Sequence, residues 1–162
     1  MSVEINDEKN LTISIYLQFK NLTSFPENIE NLDLKKLKNL TAIFLDYNNI
    51  NLIPQSIQNF TDLKYISMDS NRLTSLPESI CNLTNLHTLI LNNNMLTSLP
   101  ETIGNLTNLR LLILNNNKLM SLPKSIGNLT NLTGLDLRYN KIHLLPESMS
   151  NLVNLIELYF WN

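Results

Sequence analysis

Cysteine and glycine are scarce in this chain, which has one cysteine and three glycines. A single cysteine, Cys81, excludes an intramolecular disulfide framework and a multi-cysteine zinc site. So few glycines leave no P-loop, no G-x-G-x-x-G turn and no G-x-S-x-G elbow, the loops that cradle phosphates or present a catalytic serine. We therefore predict a non-enzymatic protein with no cofactor and no metal site.

An excess of positive charge is also missing. Lys+Arg total 12 against 14 Asp+Glu, a net charge of −2. Nucleic acids and anionic membranes are bound by clustered positive charge, so neither is expected as a partner. The start of the chain is polar and acidic, without the regions of a secretory signal, and no apolar run reaches transmembrane length. These features predict a cytoplasmic protein.

Repetition is what the chain has in abundance. Residues 76–144 read LPESICNLTNLHTLILNNNMLTS, then LPETIGNLTNLRLLILNNNKLMS, then LPKSIGNLTNLTGLDLRYNKIHL. The prolines at 77, 100, 123 and 146 are each 23 residues apart. A fixed period of this length indicates a solenoid, in which a coil cannot bury its apolar face alone and must stack on its neighbours.

The repeat can be followed backwards from this segment. Pro54 continues the 23-residue step, but Pro26 lies 28 residues before it. This repeat therefore contains an insertion of five residues, which the apolar register places within Glu30–Lys36. The spacing of apolar residues there favours a short amphipathic helix. We predict one domain over 1–162, with a degenerate N-terminal capping repeat at 1–25 and regular repeats at 26–162 with an insertion near 30–36.

Each repeat contains a short alternation of apolar and variable residues, which predicts a strand. Because all repeats run the same way, the strands should be parallel neighbours. Seven strands are expected, with the inward pairs Ile15/Leu17, Ile43/Leu45, Ile66/Met68, Leu89/Leu91, Leu112/Leu114, Leu135/Leu137 and Leu158/Phe160. Asparagines after the strands should pair with backbone groups at the corner of the coil, namely Asn48, Asn71, Asn94, Asn117 and Asn140. The predicted fold is an α/β right-handed solenoid with a concave parallel sheet and short convex helices or 3₁₀ turns.

The order L-x-x-L-x-L-x-x-N-x-L, as at Leu86, Leu89, Leu91, Asn94 and Leu96, resembles the leucine-rich repeat family. Its 23-residue LPxxI form, over 26–162, is similar to the intracellular class of Ras-binding scaffolds and Ras suppressors. The resemblance implies a signalling scaffold or regulator, with a small GTPase as one candidate partner. The alternative is a substrate-recognition arm of a ubiquitin ligase or an immune-type receptor, acting in trans, because the motif specifies the coil and not the partner.

The variable, outward-facing positions of the strands form the candidate site. Tyr16, Phe44 and Tyr65 should make an aromatic zone beside Ile90 and Ile113, and contiguous apolar exposure commonly marks an interface. The alternative is neutral variation on a solvated sheet. The candidate protein-binding residues are Tyr16, Phe44, Asp46, Tyr47, Tyr65, Asp69, Ile90, Leu111, Ile113, Arg138, Tyr139 and Tyr159. For Asp46 and Asp69, which share a repeat position in adjacent coils, a charge that recognises a basic partner is favoured over a merely solvated pair.

Catalysis has weak support in the sequence, and an enzyme with an unrecognised site is a remote alternative. The repeat register separates Cys81, on the outer segment, from His143, which lies two coils beyond His87. Cys81 is expected as a small side chain on the convex face. The last strand has no following repeat in this sequence, so we expect weak self-association through the C-terminal edge.

Overall fold

The computed structural model describes residues 2–6, 12–26 and 39–161, and its strands form one sheet whose order follows the sequence. The strands are β1 (Ser2–Asn6), β2 (Thr12–Tyr16), β3 (Leu40–Phe44), β4 (Tyr65–Ser67), β5 (Thr88–Ile90), β6 (Leu111–Ile113), β7 (Gly134–Asp136) and β8 (Glu157–Tyr159). Strands β2 to β8 pair in parallel with their neighbours. This arrangement confirms the predicted solenoid and its seven parallel strands.

Strand β1 is an additional strand that the repeat pattern does not predict. It pairs antiparallel with β2, from Ser2 opposite Tyr16 to Asn6 opposite Thr12. Its sequence S-V-E-I-N alternates polar and apolar residues, which is the signal of a strand, but it belongs to no proline-led repeat. The capping repeat at 1–25 stays a prediction, and the insertion at 30–36 lies outside the described residues.

The core is a stack of leucine and isoleucine side chains on the inner side of the sheet. Ile66, Leu89, Leu112 and Leu135 are paired partners in adjacent strands, and all are buried. Residues on either side of them in the strands are mostly half-exposed. The period of two therefore separates the core from the concave surface as the sequence predicts.

The convex side is built from 3₁₀ helices of five residues, each entered through an extended proline. They span Gln55–Asn59, Glu78–Asn82, Glu101–Asn105, Lys124–Asn128 and Glu147–Asn151. The turns stack closely, because a Cβ on Gly104 would overlap the carbonyl oxygen of Ser125. Cys81 lies in the same column of the convex side, as expected, and its side chain is buried, with only 1% exposed. Burial raises the pKa of its thiol, which is hydrogen-bonded to Thr102.

The asparagines after the strands hold successive coils together. Asn94 donates from Nδ2 to the Leu91 carbonyl of its own coil (3.1 Å) and to the Met68 carbonyl of the preceding coil (2.9 Å). Its Oδ1 accepts from the Leu73 backbone N–H at 2.9 Å. The same pattern recurs at Asn48, Asn71, Asn117 and Asn140. Buried backbone groups that would otherwise lack partners are thus satisfied by one amide per coil.

A second asparagine ladder runs along the exposed turns that precede the strands. The Nδ2 group of Asn85 donates to the Thr61 carbonyl of the preceding coil at 3.0 Å. The equivalent donors, each bonding the carbonyl 24 residues earlier, are Asn108, Asn131 and Asn154. The repeated NLTNL segment carries this signal, since its second asparagine recurs in each of these four coils.

Candidate functional site

The concave face begins with a continuous strip of aromatic rings across β2, β3 and β4. The rings of Tyr16 and Phe44 stack with centroids 4.7 Å apart and 3° between their planes. Phe44 and Tyr65 follow at 4.9 Å with a 34° tilt. The buried Ser67 occupies the position in β4 that pairs with Phe44. Three candidate residues are therefore in direct contact, as the sequence predicts.

Aliphatic side chains continue this surface on the next two strands. Ile90 in β5 and Leu111 and Ile113 in β6 are half-buried on the outer side of the sheet, and Ile90 pairs with Ile113. The adjacent Leu89 is fully buried in the core. We call the six residues Tyr16, Phe44, Tyr65, Ile90, Leu111 and Ile113 the apolar strip.

The two candidate aspartates are engaged within the chain. Asp46 Oδ1 accepts hydrogen bonds from Ser67 Oγ and from the backbone N–H of Asp69, the latter at 2.8 Å. Asp69 Oδ1 accepts from Asn92 Nδ2 and Asn93 Nδ2, each at 2.8 Å, and from a neighbouring serine. Both residues are half-buried. Their carboxylates therefore fix the ends of β3 and β4, and the recognition of a basic partner residue by this pair stays a prediction.

One column at the end of the strands has a left-handed backbone in each of the six coils where the structure describes it. Its residues are Phe19, Tyr47, Ser70, Asn93, Asn116 and Tyr139, with φ between 53° and 56°. Asparagine adopts this conformation readily, whereas a bulky aromatic residue does so at a cost of about 1–2 kcal/mol. Phe19 and Tyr47 nevertheless stack here with centroids 4.5 Å apart, and both rings are exposed.

Arg138 is held by an acid and two rings at the C-terminal end of the concave face. Its Nε lies 2.9 Å from Asp136 Oδ1 and its Nη2 lies 2.5 Å from Asp136 Oδ2. The guanidinium also lies over Tyr159 and Trp161, at 4.8 and 5.2 Å from the ring centroids. The hydrogen bonding that Arg138 donates to the Asp136 carboxylate is the main cause that raises the Arg138 pKa. Asp136 is only 4% exposed, and the D-x-R spacing on one strand face was the available signal for it.

The structure brings the candidate residues together in three groups, and the twelve do not form a single cluster. Tyr16, Phe44, Tyr65, Ile90, Leu111 and Ile113 form the apolar strip; Tyr47, Asp46 and Asp69 lie at the ends of the N-terminal strands; Arg138, Tyr139 and Tyr159 lie at the C-terminal end. Within the described ranges, no three His, Cys, Asp or Glu side chains could hold a metal ion. A search of those same residues found no helix of the length and apolarity needed to cross a membrane.

Comparison with known proteins identifies the repeat. A family model described as a leucine-rich repeat region matches residues 18–120 and 101–162. The chain belongs to the leucine-rich repeat family. No curated protein sequence matches it.

Solved structures of leucine-rich repeat proteins superpose on most of this leucine-rich repeat chain. The plant peptide hormone receptor RGFR1 in complex with RGF2 is 33% identical with a TM-score of 0.77, over 98% of this chain and 24% of the receptor chain. An internalin from Listeria monocytogenes is 27% identical with a TM-score of 0.66, over 78% and 36%. A leucine-rich repeat protein of Leptospira interrogans is 26% identical with a TM-score of 0.58, over 90% and 53%. The chain thus spans from a quarter to about half of the length of these proteins.

Proposed function

We propose that this chain is a non-enzymatic protein-binding module whose partner docks on the concave face of the sheet. The apolar strip carries this proposal. Its six apolar side chains are contiguous across five strands, on the concave side of the sheet and not in the core. Contiguous apolar exposure with aromatic anchors is typical of interfaces. The exposed pair Phe19 and Tyr47 supports it, since rings are kept at positions where the backbone disfavours them.

The finer role that we propose is a cytoplasmic signalling scaffold or regulator. The 23-residue LPxxI repeat motivates this role, with a small GTPase as one candidate partner. The alternative is a recognition arm of a ubiquitin ligase or an immune-type receptor that acts in trans. The receptor RGFR1, solved with RGF2, is a structural relative that favours the receptor-like alternative and a peptide-sized partner.

The experiment compares capture of partners by the native chain and by Tyr65→Ala/Ile90→Ser/Ile113→Ser. These changes should leave the fold nearly intact, within about ±0.5 kcal/mol each for surface sites, and should cost about 2 kcal/mol or more in binding for each anchor. The matched control is Leu52→Ser/Met120→Ser, which removes exposed apolar residues outside the sheet. A folded triple variant that still captures every partner of the native chain would overturn the proposal.

A further inference from the structure

A row of basic residues crosses the edge at which the chain enters the sheet. Lys64, His87 and Arg110 hold equivalent repeat positions, each directly before a strand. The backbone N–H of His87 donates to the Lys64 carbonyl at 2.9 Å, and that of Arg110 donates to the His87 carbonyl at 2.8 Å. Lys64 and Arg110 are exposed and His87 is half-buried. Three adjacent coils, about 4.8 Å apart, therefore carry basic side chains in line.

This row is not neutralised by the rest of the described chain. The ion pair found among the residues 2–6, 12–26 and 39–161 joins Arg138 to Asp136, and it leaves Lys64 and Arg110 unpaired. Burial and the positive charges of Arg110 and Lys64 lower the pKa of His87, because a third proton charge is disfavoured between them. The row thus presents uncompensated positive charge in a protein whose net charge is −2.

Acidic residues are sparse beside the row. Asp62 is exposed two residues before Lys64, and in the next coils its repeat position is taken by Asn85 and Asn108. Those two amides donate to backbone carbonyls of the preceding coils. The charge of the row therefore persists from β4 to β6.

A notch lies at the end of this row. Gly134 lacks a side chain in the column that holds Leu111 on one side and Glu157 on the other, and pairs with both. The result is a depression of about 160 Å³ that is also lined by Thr133 and Ile156. Leu111 directly follows Arg110, so the notch and the basic row are contiguous.

We infer that the row and the notch together receive an acidic segment of a protein partner. Carboxylates of that segment face Lys64, His87 and Arg110, and one of its apolar side chains enters the notch between Leu111 and Ile156. This inference rests on the proposed protein-binding function and specifies the chemistry of the partner. Charge complementarity requires the partner segment to be negatively charged, because like charges across an interface cost free energy. Glu157 on the far wall repels carboxylates, so the acidic residues lie towards Lys64.

The test selects ligands from a displayed library of random 12-residue peptides on the full chain. Selected peptides should be enriched in Asp and Glu next to an aliphatic residue, and their affinity should fall with added salt, because the Debye length shortens from about 10 Å at 0.1 M to about 3 Å at 1 M. Lys64→Glu/Arg110→Glu should weaken their binding about tenfold or more. Gly134→Leu should also weaken it, because the new side chain fills the notch.

The matched control is Arg72→Glu/Lys118→Glu, which changes the net charge by the same amount. Both residues are exposed, and each directly follows a buried asparagine, Asn71 or Asn117. Retained binding in this control, with loss in Lys64→Glu/Arg110→Glu, supports the inference. Binders without acidic enrichment that are lost only in Tyr65→Ala/Ile90→Ser/Ile113→Ser would overturn it and leave the proposed function standing. Three results would overturn both this inference and the proposed function. They are peptides that bind Lys64→Glu/Arg110→Glu and Tyr65→Ala/Ile90→Ser/Ile113→Ser as well as they bind the native chain, a library that yields no binder, and an RNA oligonucleotide that binds more tightly than any peptide.

Discussion

Asn117 illustrates how one side chain stabilises two coils. Its Nδ2 donates to the carbonyls of Leu91 (2.9 Å) and Leu114 (3.0 Å), and its Oδ1 accepts from the Leu96 N–H (3.0 Å). Asn117→Ala removes all three bonds and leaves buried backbone groups unpaired, each costing about 1–3 kcal/mol. We expect the midpoint of urea unfolding, measured by circular dichroism, to fall clearly.

The control for this prediction is Asn115→Ala, a half-buried asparagine on the concave side of the same coil. Asn93 is unsuitable although it neighbours the ladder, because its side chain bonds Asp69 and Asn116 and its backbone is left-handed. Equal midpoint shifts at Asn115 and Asn117 would contradict the structural role of the ladder.

At the scale of the element, two glycines differ in the space that a side chain would have. A Cβ on Gly104 would collide with the Ser125 backbone between stacked 3₁₀ helices, whereas a Cβ on Gly134 would meet only Leu111 Cδ1 at 2.7 Å. A flexible leucine terminus can move, but a backbone carbonyl cannot. Gly104→Ala should therefore destabilise the protein by about 1–3 kcal/mol through overpacking.

Gly134→Ala is the matched comparison, because neither glycine has a positive φ and both variants lose the same entropy of the unfolded chain. Its unfolding midpoint should stay near that of the native protein or rise. Thermal and urea unfolding of the two variants, measured side by side, provide the check. A Gly104→Ala protein as stable as Gly134→Ala would mean that the 3₁₀ helices pack less closely than described.

For the whole molecule, the last coil should be the least stable part of the regular stack. Leu158 is 42% exposed, whereas its counterparts Leu89, Leu112 and Leu135 in inner coils are fully buried. No other described strand pairs with the outer edge of β8. We expect amide hydrogens of 155–161 to exchange faster than those of β5 and β6, because fewer contacts resist local opening.

The same edge should support weak self-association, since an unpaired strand edge invites pairing. Sedimentation should show a concentration-dependent increase in mass that Leu158→Lys abolishes. Arg72→Glu, which changes an exposed charge after β4, four strands from this edge, should leave it unchanged. If the amide hydrogens of 155–161 were strongly protected from exchange in a dilute monomeric sample, the faster exchange expected for the last coil would be contradicted.

Much of this architecture could be predicted because it repeats. The positions of Leu89, Leu112 and Asn94 follow from a period of 23 and an alternation of two, and translation along the stack preserves both. The features that sequence reasoning missed depend on single coils. Strand β1 lies outside the repeat, and the Asp136–Arg138 pair occurs in one coil. Periodicity carries no information about such local contacts.

The spacing of the coils also has a metric consequence for any partner. Parallel strands repeat about every 4.8 Å, whereas an extended peptide that crosses them advances about 3.3 Å per residue. The two lengths come into phase after about three peptide residues and two coils, and again after about six residues and four coils, at roughly 20 Å and 19 Å. Only the second match places both anchors on the same face of the peptide, because successive side chains of an extended chain alternate. Tyr16 in β2 and Ile113 in β6 are four strands apart. We therefore expect that a peptide ligand bound across the concave face, with anchors six residues apart, reaches both ends of the apolar strip at once.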